Sequence, residues 1–107
     1  MIIKHAASLA EFNPEKMGKR SLASGAYIYV GLNCFEPGQE HKAHTHADQD
    51  KLYFVIEGEG EAMVGDEAGP VSAGDLILAP AGALHSMRNP GPGRLTVLVV
   101  FGPPPTK

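Results

Sequence analysis

Apolar residues along this chain come in short runs that alternate with polar ones, and turn residues interrupt them about every eight to twelve positions. In "AYIYVGLNCF" a period of two puts Ile28, Val30, Leu32 and Cys34 on one face and Tyr27, Tyr29, Asn33 and Phe35 on the other. In "KLYFVIE" the same alternation sends Lys51, Tyr53 and Val55 one way and Leu52, Phe54 and Ile56 the other. "DLILAP" and "RLTVLVVF" are rich in leucine and β-branched residues, which predicts buried strands. "KLYFVIEG" and "EAMVG" are separated by a turn-like break at Gly58-Glu59-Gly60. No helical periodicity of useful length follows residue 20, and Ser8 to Met17 reads equally as a helical turn or as irregular chain. The pattern predicts an all-β fold, a sandwich or a barrel.

Composition narrows the function classes. At 107 residues the chain has room for one core. Its 43% hydrophobic and 20% charged residues are those of a globular domain, and the 13 glycines and 9 prolines are spread along it as turn punctuation. A net charge of -3 gives no basic surface for nucleic acid, and no apolar run is long enough to span a membrane. The opening "MIIKHAASLAEFNPEK" lacks the apolar core of a signal peptide, and the single cysteine suits a reducing compartment, so the cytoplasm is the expected location. Cys34 alternates with aliphatic residues, as an inert buried thiol does, and Ser86 has no acidic partner at a recognisable spacing. The terminal "GPPPTK" reads as an extended end, or more weakly as a polyproline recognition segment.

The chemistry is concentrated in "GQEHKAHTHADQDK", where three of five histidines, His41, His44 and His46, fall close together. Residues two apart on a strand share a face, roughly 6 to 7 Å apart, so His44 and His46 can converge on one ion. His41 lies three before His44, an odd spacing that turns it to the opposite face unless the loop bends; a solvated loop histidine is expected. His5 has no recognisable context. A second stretch, "GDLILAPAGALHSMRN", carries Gly74, Pro80, Gly82, His85 and Asn89.

Together with Gly38, His44, His46 and Gly58, these positions resemble the two signature motifs of the cupin family. The resemblance covers residues 25–101. It leaves residues 1–24 as a segment packing on or pairing with the barrel, and 102–107 as a tail. It implies an antiparallel jelly-roll β-barrel of the cupin (RmlC-like) kind. It also implies one divalent transition metal (Fe, Mn, Zn or Ni) on His44, His46 and His85. Cupins of this size are commonly dimers, and outward Leu52, Phe54 and Ile56 would suit a homodimer as well as a second sheet.

The chain departs from the family where a glutamate ligand belongs. Counting back from Gly58 reaches Lys51, and counting on from His46 reaches Asp50. An ammonium offers a metal no lone pair, so other readings stay open. A slip or bulge could bring Asp50, or Gln49 as the alternate, to the metal as fourth ligand. Three histidines with waters would leave an open coordination sphere. Lys51 could point inward, to attract an anionic substrate or serve as acid or base, or could reach the rim as a solvated charge. Tyr27, Tyr29, Phe35, Tyr53, Met87 and Lys51 are the expected pocket residues, though each could equally fill the core.

The resemblance implies a metal-dependent enzyme (a dioxygenase, isomerase or lyase) acting on a small organic acid, keto-sugar or phenolic compound. The alternatives are a non-catalytic small-molecule binding cupin and a metal-free structural barrel. The expected partners are a small-molecule ligand and a second copy of the chain, with no nucleic acid and no membrane.

Overall fold

A computed structural model describes residues 1–104. A single 3-10 turn, Ala6–Leu9, precedes an irregular stretch, and nine strands follow among the described residues: β1 (Gly18–Ser24), β2 (Tyr29–Phe35), β3 (Glu40–His44), β4 (Asp50–Glu57), β5 (Glu59–Val64), β6 (Glu67–Ser72), β7 (Leu76–Ala79), β8 (His85–Arg88) and β9 (Leu95–Gly102). They form two antiparallel sheets, ordered β1-β2-β9-β4-β7 and β3-β8-β5-β6. The all-β class is what the short alternating runs predict, and the jelly-roll form is what the family resemblance implies. Among the described residues, no helix is long and apolar enough to cross a membrane.

The break after "KLYFVIE" crosses between sheets instead of closing a hairpin. β4 and β5 belong to different sheets, and only Gly58 separates them. Gly58 has φ 90°, and a Cβ there would collide with the Arg94 carbonyl. Glycine meets both demands.

Register in the five-stranded sheet arranges its inward face in rungs that change character along the barrel. The first joins Tyr29, Phe101, Lys51 and Ala79; the second Gly31, Val99, Tyr53 and Ile77. The third joins Asn33, Val97 and Val55, and the last pairs Phe35 with Leu95. Phe35, Val55, Leu95 and Val97 are fully buried, and Met87, Ala62 and Val64 close over them from the other sheet. One end of the barrel is thus a packed apolar core, while the other is lined by polar tips.

The N-terminal segment covers the outer side of β2. β1 pairs with β2, and the Gly18 Cα lies against the backbone of Glu11. Leu32 and Cys34 are buried on this side, so β2 is covered on both faces. Two expectations change. "DLILAP" is buried on one face only: β7 is an edge strand whose Ile77 and Ala79 face the core, while Leu76 is 65% and Leu78 60% exposed. Gly102 is paired with Asp50 at the end of β9, so the expected tail begins later, and its residues 105–107 lie outside the described ones.

Candidate metal centre

The site lies at the polar end, where β3 and β8 bring histidines from both sequence motifs together. His44 on β3 is the direct cross-strand partner of His85 on β8, and their ring centroids are 4.2 Å apart. His46, just past β3, has its ring 5.0 Å from that of His44 and 6.2 Å from that of His85. The β7–β8 loop is tied to this place by its backbone: Gly82 N–H donates to the His46 carbonyl at 2.9 Å, and Ala81 N–H to Asp50 Oδ1 at 2.8 Å. Gly82 has φ 84°, a backbone conformation natural to glycine. Asn89 is fully buried and holds the far end of β8, its Nδ2 donating to the carbonyls of Phe35 and Gly93.

Hydrogen bonds fix which ring nitrogen carries the proton. His44 Nδ1 is 2.7 Å from the Lys42 carbonyl, and His85 Nδ1 is 3.0 Å from the Ala83 carbonyl. A carbonyl only accepts, so in each neutral ring Nδ1 is the donor and Nε2 keeps its lone pair. Both Nε2 atoms are buried without a partner, as is the Tyr53 hydroxyl. An unpaired buried polar atom costs about 1–3 kcal/mol, and here three lie close together. Backbone-oriented imidazoles with free Nε2 lone pairs are the donors that a divalent transition metal takes. The donor chemistry fits the group. As they stand, no three His, Cys, Asp or Glu side chains among the described residues lie where they could together hold a metal ion.

Burial tunes the site toward neutral histidines. It pushes the pKa of His85 and His46 down, and nearby Lys51 and His44 add to the effect in both. His41 is pushed down to about 3, first by burial and then by its neighbours His44, Lys19 and Lys51. Neutral imidazole is the form that binds metal. Burial raises the Tyr53 phenol to about 12, which keeps it a hydrogen-bond donor at neutral pH. Lys51 is pushed down, by burial and then by Lys19.

The sequence-predicted residues separate into several groups. Lys51 and Tyr53 are buried on the inward face of β4, and Met87 is buried two residues beyond His85. Tyr29 is half-buried, stacked on Phe101 with ring centroids 4.5 Å apart. Phe35 is fully buried at the apolar end and is core. Tyr27 is 82% exposed and is no pocket residue: β2 begins only at Tyr29, and the alternation does not continue back into the turn closed by Gly25 N–H to the Ile28 carbonyl. Asp50 is exposed, with its carboxylate accepting from Ala81, and Gln49 Nε2 donates to the Pro103 carbonyl at 2.9 Å. Each of these candidate fourth ligands thus holds a loop through one atom, Asp50 Oδ1 and Gln49 Nε2.

His41 joins the site instead of the solvent. A register irregularity between His41 and His44 opposite β8 adds a residue on β3, which cancels the odd spacing and leaves both on one face. The two rings lie 4.2 Å apart. Lys19 and Asn33, cross-strand partners on β1 and β2, also line the adjoining cavity. Nothing in the sequence marked Lys19, because "GKRSLAS" shows no clear apolar alternation.

A jelly roll presenting histidines from two motifs at one end is the architecture of a cupin, and the cupin domain model matches residues 31–101. The chain belongs to the cupin family. It is 35% identical over 75 residues to a gentisate 1,2-dioxygenase from Ralstonia sp., which aligns with 69% of this chain but only 21% of that enzyme. It is 26% identical over 85 residues to an oxalate-binding protein of Thermotoga maritima, covering 79% of this chain and 69% of that one. Among solved structures, TT1209 from Thermus thermophilus superposes with a TM-score of 0.93 at 39% identity, covering 98% of this chain and 100% of the other.

Proposed function

We propose that this cupin binds one divalent transition metal on His44, His46 and His85 and uses it to act on a small organic acid. The supporting observation is the pair of buried, unpartnered Nε2 atoms on rings whose Nδ1 protons are already committed to backbone carbonyls. A bound metal would supply Lewis acidity toward a substrate oxygen and, if iron or manganese, oxygen chemistry. The chain's own residues bind and orient. Tyr53, a buried phenol held protonated, offers a hydrogen bond to a ligand oxygen. Three histidines alone would leave the coordination sphere open for ligand. Two relatives named for small acids, gentisate and oxalate, favour an organic acid over a keto-sugar. Metal analysis of untagged protein tests the reading: close to one equivalent is expected, falling sharply in His46→Ala, and no bound metal in the wild type contradicts it.

A non-catalytic ligand-binding role is the second reading, favoured by the oxalate-binding relative and by a cavity of only about 240 Å³ beside the histidines. Tight binding of an acid without turnover, aerobically and with each of Fe, Mn, Zn and Ni, would select it.

The apolar outer face of β4 and β7 is suited to a second copy of the chain. Leu52 is paired with Leu78 and Phe54 with Leu76, and all of them except half-buried Phe54 are substantially exposed. Sedimentation at micromolar concentration is expected to give a dimer, and a mass near the 11.3 kDa of one chain would contradict it.

A further inference from the structure

We propose that the cavity beside the three histidines is an anion pocket, in which Lys51 and Lys19, with His41 and Asn33, receive the carboxylate of a small acid. It deepens the metal-site reading and rests on it only for what the rest of the ligand meets. Lys51 enters from β4 and Lys19 from β1, and the cavity between them is also walled by Tyr29 and Phe101. No carboxylate lines it. The three ion pairs among the described residues join Arg20 to Glu11, Arg88 to Glu61 and Arg94 to Glu36, so neither lysine has an acidic partner there.

That lack runs against the composition, since the chain has 12 acidic residues to 9 basic ones. Lys51 is only 8% exposed, and lysines are almost never so buried unless paired. Its Nζ lies 5.0 Å from the centre of the Phe101 ring, a contact that steadies a cation without neutralising it. The missing counter-charge is therefore one that the ligand brings. Burial and the neighbouring Lys19 already disfavour the Lys51 charge, a strain that an incoming carboxylate would relieve.

Size and shape limit the ligand. About 240 Å³ is below the roughly 300–1,000 Å³ of drug-sized pockets, which suits a small ligand group. The stacked rings of Tyr29 and Phe101, 26° from parallel, give the cavity an apolar side that suits a carbon skeleton.

Calorimetric titration of the metal-loaded protein with benzoate and with benzamide, a matched acid and neutral amide, tests this. The wild type is expected to bind benzoate at least about tenfold more tightly. Lys51→Met should remove that preference while leaving metal content and benzamide affinity unchanged, and Lys51→Arg should keep it. Equal affinity for the two probes in the wild type, undetectable benzoate binding at millimolar concentration, or undiminished benzoate affinity in Lys51→Met would overturn the proposal. If Lys51→Met does not fold, Lys19→Met is read in the same way. A protein without metal that keeps a Lys51-dependent benzoate preference sinks the metal reading alone. One equivalent of metal without the preference sinks the anion pocket alone.

Discussion

The same three strands build two unlike ends of one barrel. At the apolar end, β2, β4 and β9 contribute Phe35, Val55, Leu95 and Val97, all fully buried and packed on one another. At the other end they contribute Tyr29, Lys51, Tyr53 and Phe101, facing histidines on β3 and β8. There, buried nitrogens and a phenol lack partners, and a lysine lacks a counter-ion. One end holds the fold together. The other carries buried polar groups without partners among the described residues, a pattern common at functional sites.

Substitutions at the two ends should therefore have opposite signs. Phe35→Ala, at the apolar end, should destabilise by about 3–5 kcal/mol through lost contacts and a cavity, read from the urea midpoint. A loss below about 1 kcal/mol would mean that this end is not the core.

The next effect depends on pH. The folded Tyr53 pKa, about 12, lies above the ordinary 10. Near pH 11 the folded phenol keeps its proton while the unfolded one loses it. Its contribution, about 2–3 kcal/mol, is thus complete below pH 10 and lost as pH rises through 12. Tyr53→Phe should lose less stability than the wild type over that interval, and parallel curves would contradict the assignment.

Lys51→Met should stabilise the protein by about 1 kcal/mol at neutral pH, because it removes a largely buried charge without an acidic partner and keeps an unbranched apolar stem only one atom shorter. A fall in thermal midpoint would show that Lys51 supports the fold, and would erase the contrast between the ends. Leu78→Asp, on the exposed edge strand, should alter folding stability by less than about 0.5 kcal/mol while shifting sedimentation toward the monomer.

Features set by local spacing were legible in the sequence. The period of two along "KLYFVIE" placed Lys51, Tyr53 and Val55 on one face, and the two motifs identified the family. Features set by long-range pairing were not. The irregularity that turns His41 inward arises where β3 meets β8, more than forty residues away. The exposure of Leu76 and Leu78 follows from β7 lying at a sheet edge, which a leucine-rich run does not announce. Tyr27 misled because alternation does not mark where a strand begins. Lys19 reaches the cavity through the pairing of β1 with β2.

The central claim is that the histidine end is completed by a metal. Its most direct test is the thermal midpoint of chelator-treated protein with and without added Fe, Mn, Zn or Ni, for the wild type and for His85→Ala. At a hundredfold excess over the dissociation constant, a bound metal should add about 2.7 kcal/mol to the wild type and nothing to the variant. Equal midpoints with and without every metal in the wild type, or an equal gain in His85→Ala, would contradict the account.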